Sequence, residues 1–316
     1  MSNSTGAFVG KKNPITLILK LLVIFVSLCF ALFPVLFIFS SALNPNGTLS
    51  TSTIIPQVED ASQLLANFKS LLVDGLSLHP FWNWLFNSLA IATISTVLTL
   101  LISALAAYSF SRFRFYGRRT LLISILLLQA FPNLLAMVAL FLILLEIGRL
   151  SVSIPDALPF LSFIDWRFFE FFGINSHGGL ILIYLGGALG INTWLMKGFF
   201  DSIPREIDES AVVDGATHWQ TFWFLIFPLV RPILAVVGIL AFVGTFNEFV
   251  LARIILRDKN QWTLMVGLYN FINADFNRDW GKFAAGAMVA ATPVVLLYLA
   301  LQDQIVGGLT AGSVKG

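Results

Sequence analysis

Six apolar runs, each long enough to cross a bilayer, constrain this chain more than any other feature. A hydrocarbon core about 30 Å thick takes about 20 residues of helix at about 1.5 Å rise each. Such runs extend from about Leu21 to Ala42, Trp84 to Phe110, Thr120 to Ile147, Gly179 to Phe200, Pro232 to Ala252 and Phe283 to Val306. Backbone polar groups in lipid must be paired within the chain, so the runs predict helices. The expected fold is an all-α, polytopic membrane protein with six transmembrane helices in a single domain over 1–316. Composition agrees, since 57% of the 316 residues are hydrophobic and only 11% are charged. Soluble domains carry about 25% charge, so a soluble enzyme is excluded. A formal charge of +2 argues against nucleic acid as a partner. The single cysteine, Cys29, lies in an apolar run, which rules out a disulfide framework.

Pro34, Pro132 and Pro293 fall inside the runs, as membrane helices tolerate when neighbours re-satisfy the freed carbonyls. Lys11, Lys12 and Lys20 precede the first run, which is too long for a cleaved signal and reads as a retained anchor. Orientation follows the Lys/Arg bias of the short loops. Arg112, Arg114, Arg118 and Arg119 cluster after the second run, whereas the loop 44–83 holds only Lys69. Both termini are therefore expected in the cytoplasm, with external loops at about 44–83, 148–178 and 253–282. The last of these dissents with Arg253, Arg257, Lys259, Arg278 and Lys282, but the tighter arginine cluster decides.

Several chemistries have no signal. There is no G-x-x-x-x-G-K-[ST] phosphate cradle and no G-x-S-x-G elbow. His79, His177 and His218 are scattered without metal-ligand spacing. Glu146, Glu248 and Asp303 lie near the ends of runs, whereas an ion-coupled carrier places charge nearer the bilayer centre. The chain is expected to be no enzyme, with no metal and no cofactor of its own. A secondary carrier of a small solute and a channel or membrane scaffold stay as alternatives.

The polar loop 201–231 carries the strongest pattern. Pro204 suits the first turn of a helix, and Glu206, Asp208 and Glu209 place negative charge at its positive end. Ile207, Ser210, Ala211 and Asp214 recur at helical spacing as a small, apolar face. Gly215 suits the left-handed stop, and Thr217 with Gln220 forms a capping-box pair for a second helix. The expectation is a helix–bend–helix knob, against the plainer reading of two helices lying on lipid.

Glu209-Ser-Ala-Val-Val-Asp-Gly-Ala216, followed by Phe222, Ile226, Pro228-Leu229 and Pro232, resembles the E-A-A-x-x-D-G-A…P-L-x-x-P loop of bacterial ATP-binding-cassette import permeases. Ser210 alone departs from the commonest form. The resemblance implies the type I importer permease fold in the bacterial plasma (inner) membrane. It implies that Glu206, Glu209, Ser210, Ala211, Asp214, Gly215, Ala216 and Pro228 couple the spans to an ATPase, which binds the ATP and Mg. Arg112-Phe-Arg-Phe-Tyr-Gly117, Gln129-Ala-Phe-Pro132, Asn175-Ser-His-Gly-Gly179 and Leu256-Arg-Asp258 are similar to segments of the maltose/maltodextrin branch. The C-terminal Gly308–Gly316 also resembles that branch, which implies that Gly312, Ser313, Val314, Lys315 and Gly316 contact the ATPase pair. The aromatic run 159–172 is longer than the branch leads one to expect and reads as an amphipathic helix on the outer membrane face.

The implied partners are a second permease subunit, an ATPase dimer, an extracytoplasmic sugar-binding protein and membrane lipid. The implied cargo is maltose, maltodextrin or a related oligosaccharide, with another sugar such as trehalose as the alternative. A sugar offers polar edges and apolar faces, so Gln129, Asn133, Asn192 and Asn247 are the candidate residues of a translocation path. Gly186, Gly187 and Gly190 form a small-residue spacing expected to let two helices approach closely.

Overall fold

A computed structural model describes residues 14–45, 55–56, 60, 63–75, 79–157, 168–273 and 278–313. Among the described residues no strand occurs. The helices are α1 (Pro14–Leu43), α2 (Phe81–Arg112), α3 (Arg118–Gln129), α4 (Asn133–Ala157), α5 (His177–Gly186), α6 (Ile191–Ser202), α7 (Glu206–Val213), α8 (His218–Leu229), α9 (Arg231–Phe246), α10 (Val250–Ile255), α11 (Leu264–Ile272) and α12 (Trp280–Ser313). Shorter helical turns lie between them.

α1, α2 and α12 are each long and apolar enough to cross a membrane unbroken. Pro34 and Pro293 sit inside α1 and α12 without ending them. The pairs α5–α6 and α8–α9 meet the same test only together, bent by 53° and 78°. The remaining expected span, 120–147, is divided into α3 and α4. Pro132 lies at the break: it has no N–H to donate and disfavours the helical region for the residue before it, and here, unlike at Pro34 and Pro293, the helix stops at Gln129. The expected span Pro232–Ala252 also differs, for α9 stops at Phe246 and the chain steps through Asn247–Phe249 into α10.

The glycines of the fourth span have a different role from the one their spacing suggests. Gly187 caps the end of α5 and Gly190 precedes α6, so they form a break rather than a helix-packing face. The close-packing stripe lies on α2, where Ser88, Ala92, Ser95, Thr99, Ser103 and Ala107 are all buried. Small side chains let α2 stand at the centre, against α5, α6 and α9. Ser103 Oγ donates to Ala188 O at 2.6 Å, tying α2 to the α5–α6 break. By contrast α1 packs chiefly on α12 and leaves most of its apolar surface exposed.

The loop segments after α4 and α10 hold each other. Asn175, at φ 56, accepts the N–H groups of Arg257 and Asp258 on its Oδ1, both at 2.8 Å. Ser176 Oγ caps α5 by accepting from Gly179 N at 3.0 Å. Trp84 Nε1 reaches Lys259 O at 2.8 Å, inside a core that includes Phe81, Phe246, Leu264 and Phe271. Of the expected aromatic helix over 159–172, residues 159–167 lie outside the described residues and Phe168–Phe171 forms a single turn.

Candidate coupling site

The loop 201–231 folds onto the C-terminal end of α2. Ile203 is extended at φ −81 and ψ 127, as a residue before proline prefers. The chain therefore turns only after Pro204, which lies one residue ahead of the Arg205 N-cap rather than in the first turn of α7. Glu206, Asp208 and Glu209 do occupy that first turn, where the helix dipole favours carboxylates.

The inward face of α7 is narrower than its spacing predicts. Ala211 is buried and Ile207 packs against the core around Tyr108, Phe200 and Phe222. Ser210 and Asp214 point outward instead, with Ser210 Oγ donating to Ile207 O at 3.0 Å. Helix α7 ends as expected. Gly215 takes φ 84, and Ala216 N closes back on Ala211 O at 2.9 Å, the six-to-one bond of a left-handed helix stop. Both arms of the Thr217–Gln220 capping box form, at 3.3 Å and 2.8 Å. α8 then winds as a π-helix over Thr221–Ile226 and buries Phe222 and Ile226. Pro228 is half-buried beyond them.

A polar cluster that local sequence reasoning misses fastens this knob to α2. Arg112 Nε lies 3.0 Å from Asp208 Oδ2, with the two side chains 7% and 17% exposed. Tyr108 Oη makes a long 3.4 Å bond to the other carboxylate oxygen. Arg112 also donates to Ile203 O and Arg205 to Ser111 O, each at 3.2 Å. Ser111 Oγ donates to Asp201 at 2.7 Å, and Lys197 pairs with the same carboxylate. Arg112 and Asp208 are held largely away from water, where a charge persists only when an opposite charge is close by; their 3.0 Å contact is an ion pair without hydrogen-bond alignment. Each local segment shows its own charge; neither shows the partner. Tyr108 and Arg112, one turn apart on α2, were the available signal.

Beyond the cluster, Glu209, Val212, Val213, Asp214, Gly215 and Trp219 are exposed. Val213 is 87% exposed, so an apolar edge with acidic neighbours projects from the bundle. Arg112–Asp208 and Tyr108–Asp208 are the polar links between α7 and α2. A pocket of about 310 Å³ between them is lined by Tyr108, Arg112, Arg205, Asp208, Glu209 and His218.

The four candidate path residues do not converge as one site. A Cβ on Gly190 would lie 2.0 Å from Gln129 Nε2, so Gln129 reaches the α5–α6 break, two residues before the half-buried Asn192. Asn133 opens α4, and its side chain lies outside the described residues. Asn247 caps α9 and lines a different pocket of about 480 Å³ with Phe249, Met265, Tyr269 and Phe283. Next to it, Glu248 accepts Tyr184 Oη at 2.8 Å and the N–H groups of Leu251 and Ala252 at 2.8 and 3.0 Å. That carboxylate anchors α10 to α5. In the tail, Gly312 and Ser313 belong to α12, while Val314, Lys315 and Gly316 lie outside the described residues.

Comparison with known proteins places this architecture. Residues 99–309 match the family described as binding-protein-dependent transport system inner membrane component. The chain is 38% identical over 302 residues to the maltose/maltodextrin transport system permease protein MalG of Photorhabdus laumondii, covering 93% of this chain and 94% of that protein. It is 39% identical over 290 residues to the MalG of Escherichia coli strain K12, covering 90% and 91%. A crystal structure of a bacterial ABC transporter involved in the import of the acidic polysaccharide alginate shares the fold at a TM-score of 0.73 and 21% identity. That match covers 95% of this chain and all of the other.

Proposed function

Because the chain belongs to the family of binding-protein-dependent transport system inner membrane components, we propose that it is a permease subunit of an ATP-driven importer of maltose, maltodextrin or a related gluco-oligosaccharide. One observation carries the mechanism: the exposed knob α7 is fastened to the long helix α2 through Arg112 and Asp208. In the proposed assembly the knob faces the cytoplasm and seats on an ATPase subunit. A second permease completes the pathway, and an external binding protein delivers sugar. ATP and Mg belong to the ATPase.

Closure of the ATPase pair displaces α7, and the ion pair carries that displacement to the end of α2. α2 packs along α5, α6 and α9, so those helices follow and the path alternates between its two openings. The chain's residues perform no bond chemistry here. Coupling requires only that ATP and sugar each favour a different arrangement. The small polar stripe of α2 and the breaks at Gly187–Gly190 and Asn247–Phe249 are the places where such a bundle can yield. The 38–39% identity to the two MalG proteins supports maltose or maltodextrin as the cargo.

The test is uptake in vesicles holding the assembled complex, with labelled maltose, maltotriose and trehalose. ATP-dependent accumulation of the first two, and an ATPase that co-purifies with this chain, are the expected results. Accumulation driven by an ion gradient without ATP would overturn the reading.

A further inference from the structure

The fifth span breaks at Asn247–Phe249, on a piece of backbone that lipid does not cover. α9 has 16 residues and rises about 24 Å, short of a hydrocarbon core about 30 Å thick. In the orientation given above, the non-helical step Asn247–Phe249 falls inside the outer half of the membrane. At that depth irregular backbone occurs only where protein buries it or where it lines a water-filled cavity. A cavity is what the step adjoins: about 480 Å³, between the end of α9, α11 and the outer part of α12. Leu268 and Ala290, both buried, close its floor. No charged residue lines it, for Glu248 turns instead to Tyr184 and to the N–H groups of Leu251 and Ala252.

The lining identifies the kind of occupant. Phe249 and Tyr269 stand with ring centroids 4.7 Å apart at 51°, and Asn247 and Tyr269 are both exposed. Among the described residues neither the Asn247 amide nor the Tyr269 hydroxyl has a hydrogen-bond partner. An apolar cover, whether an acyl chain or the flank of a partner helix, would bury both groups unpaired, which costs free energy. An ion would find no counter-charge. A neutral sugar brings hydroxyls for the amide and the phenol and apolar ring faces for the two aromatic walls. Cavities of this order, mostly apolar with a few polar groups, are those that small ligands occupy. Resting on the cargo reading above, we propose that this cavity is a sugar subsite carried by this chain itself. Glucose units of the oligosaccharide lie against Phe249 and Tyr269 and hydrogen-bond to Asn247 and to the Tyr269 hydroxyl.

Ala291 lines the cavity and is exposed, so it serves as the reporter. Ala291→Cys on a Cys29→Ser background, in the assembled permease–ATPase complex in detergent, is expected to react with a hydrophilic maleimide. The reaction is followed without nucleotide and with a non-hydrolysable ATP analogue, and at least one of the two states is expected to be reactive. Millimolar maltotriose is expected to slow it there, and mannitol at the same concentration to leave it unchanged. Asn260→Cys in the external loop is expected to react equally with and without sugar. Y269F removes one neutral hydrogen bond and is expected to raise the half-protecting maltotriose concentration about fivefold. N247L is expected to raise it at least as much, and Y269A, which removes the ring as well, further still. No reaction at Ala291→Cys in either state, the result if lipid or the second permease covers the cavity, would overturn the proposal. So would a reaction that maltotriose does not slow, or protection unchanged in both Y269F and N247L. A wild-type complex that accumulates no gluco-oligosaccharide defeats the cargo reading and this site with it, whereas accumulation without protection defeats the site alone.

Discussion

Asp208 is one of three carboxylates in the first turn of α7, and only its contact with Arg112 separates it from Glu206 and Glu209. Removing one member of a buried pair leaves the other charge uncompensated, at a cost of about 3–5 kcal/mol. D208N is therefore expected to lower the thermal unfolding temperature in detergent clearly, whereas R112M/D208L recovers most of the loss. Equal melting of single and double variants would show that the pair holds nothing. Gly215 was legible from the chain alone, because a helix followed by a bend needs φ above zero and glycine meets that need at least cost. A β-branched side chain at φ 84 is strained however much space surrounds it. G215V is expected to insert normally and lose uptake, as immunoblot and transport assay would report. His79 precedes α2, with its ring 4.8 Å from that of Phe271. Burial, and after it the Lys259 and Lys282 charges, push its pKa below the usual 6.5. The unfolded chain then takes up a proton near pH 6.5 that the folded chain refuses until lower pH. Stability contributed by neutral His79 is present above that range and is lost as pH falls through it. Melting curves between pH 8 and 5 should show that loss, and H79F should flatten it.

Helices reveal their ends more readily than their interruptions. The capping box at Thr217 and the stop at Gly215 are local hydrogen-bond devices, so four or five residues contain all the information. The break of the fourth span is different, since glycines at close spacing suit both a tight helix contact and a helix end. Ser103 on α2, bonding Ala188 O, and Gln129, lying against Gly190, show that a break is what occurs. Pro132 posed the same ambiguity with Pro34 and Pro293, and only the first interrupts its span. The tail belongs to this scale as well. α12 continues to Ser313, so the segment expected to meet the ATPase begins as helix rather than as free chain. Deleting residues 311–316 is expected to leave expression and insertion intact and to lower sugar-stimulated ATP hydrolysis by the assembled complex. Full stimulated activity would count against a role for the tail.

At the scale of the molecule, exposed apolar surface on α1 and α3 marks what water cannot cover. Lipid and the second permease are the proposed occupants. The orientation has a direct test: on a Cys29→Ser background, Tyr116→Cys should react with an impermeant thiol reagent only in inside-out vesicles, and Asn260→Cys only in right-side-out ones. The reverse pattern would invert every assignment of face and partner. Six apolar runs were sufficient by themselves to determine a helical membrane protein, because lipid leaves the backbone no other way to pair its polar groups. The knob's two helices and the bend between them were equally determined, through caps that act over a few residues. Only the tertiary structure decided that Arg112 meets Asp208, that Asn175 holds Arg257 and Asp258, and that the four candidate amides divide between different places. Those pairings join segments distant in the chain, and their energy comes from burying complementary groups together. No single segment of sequence contains that information.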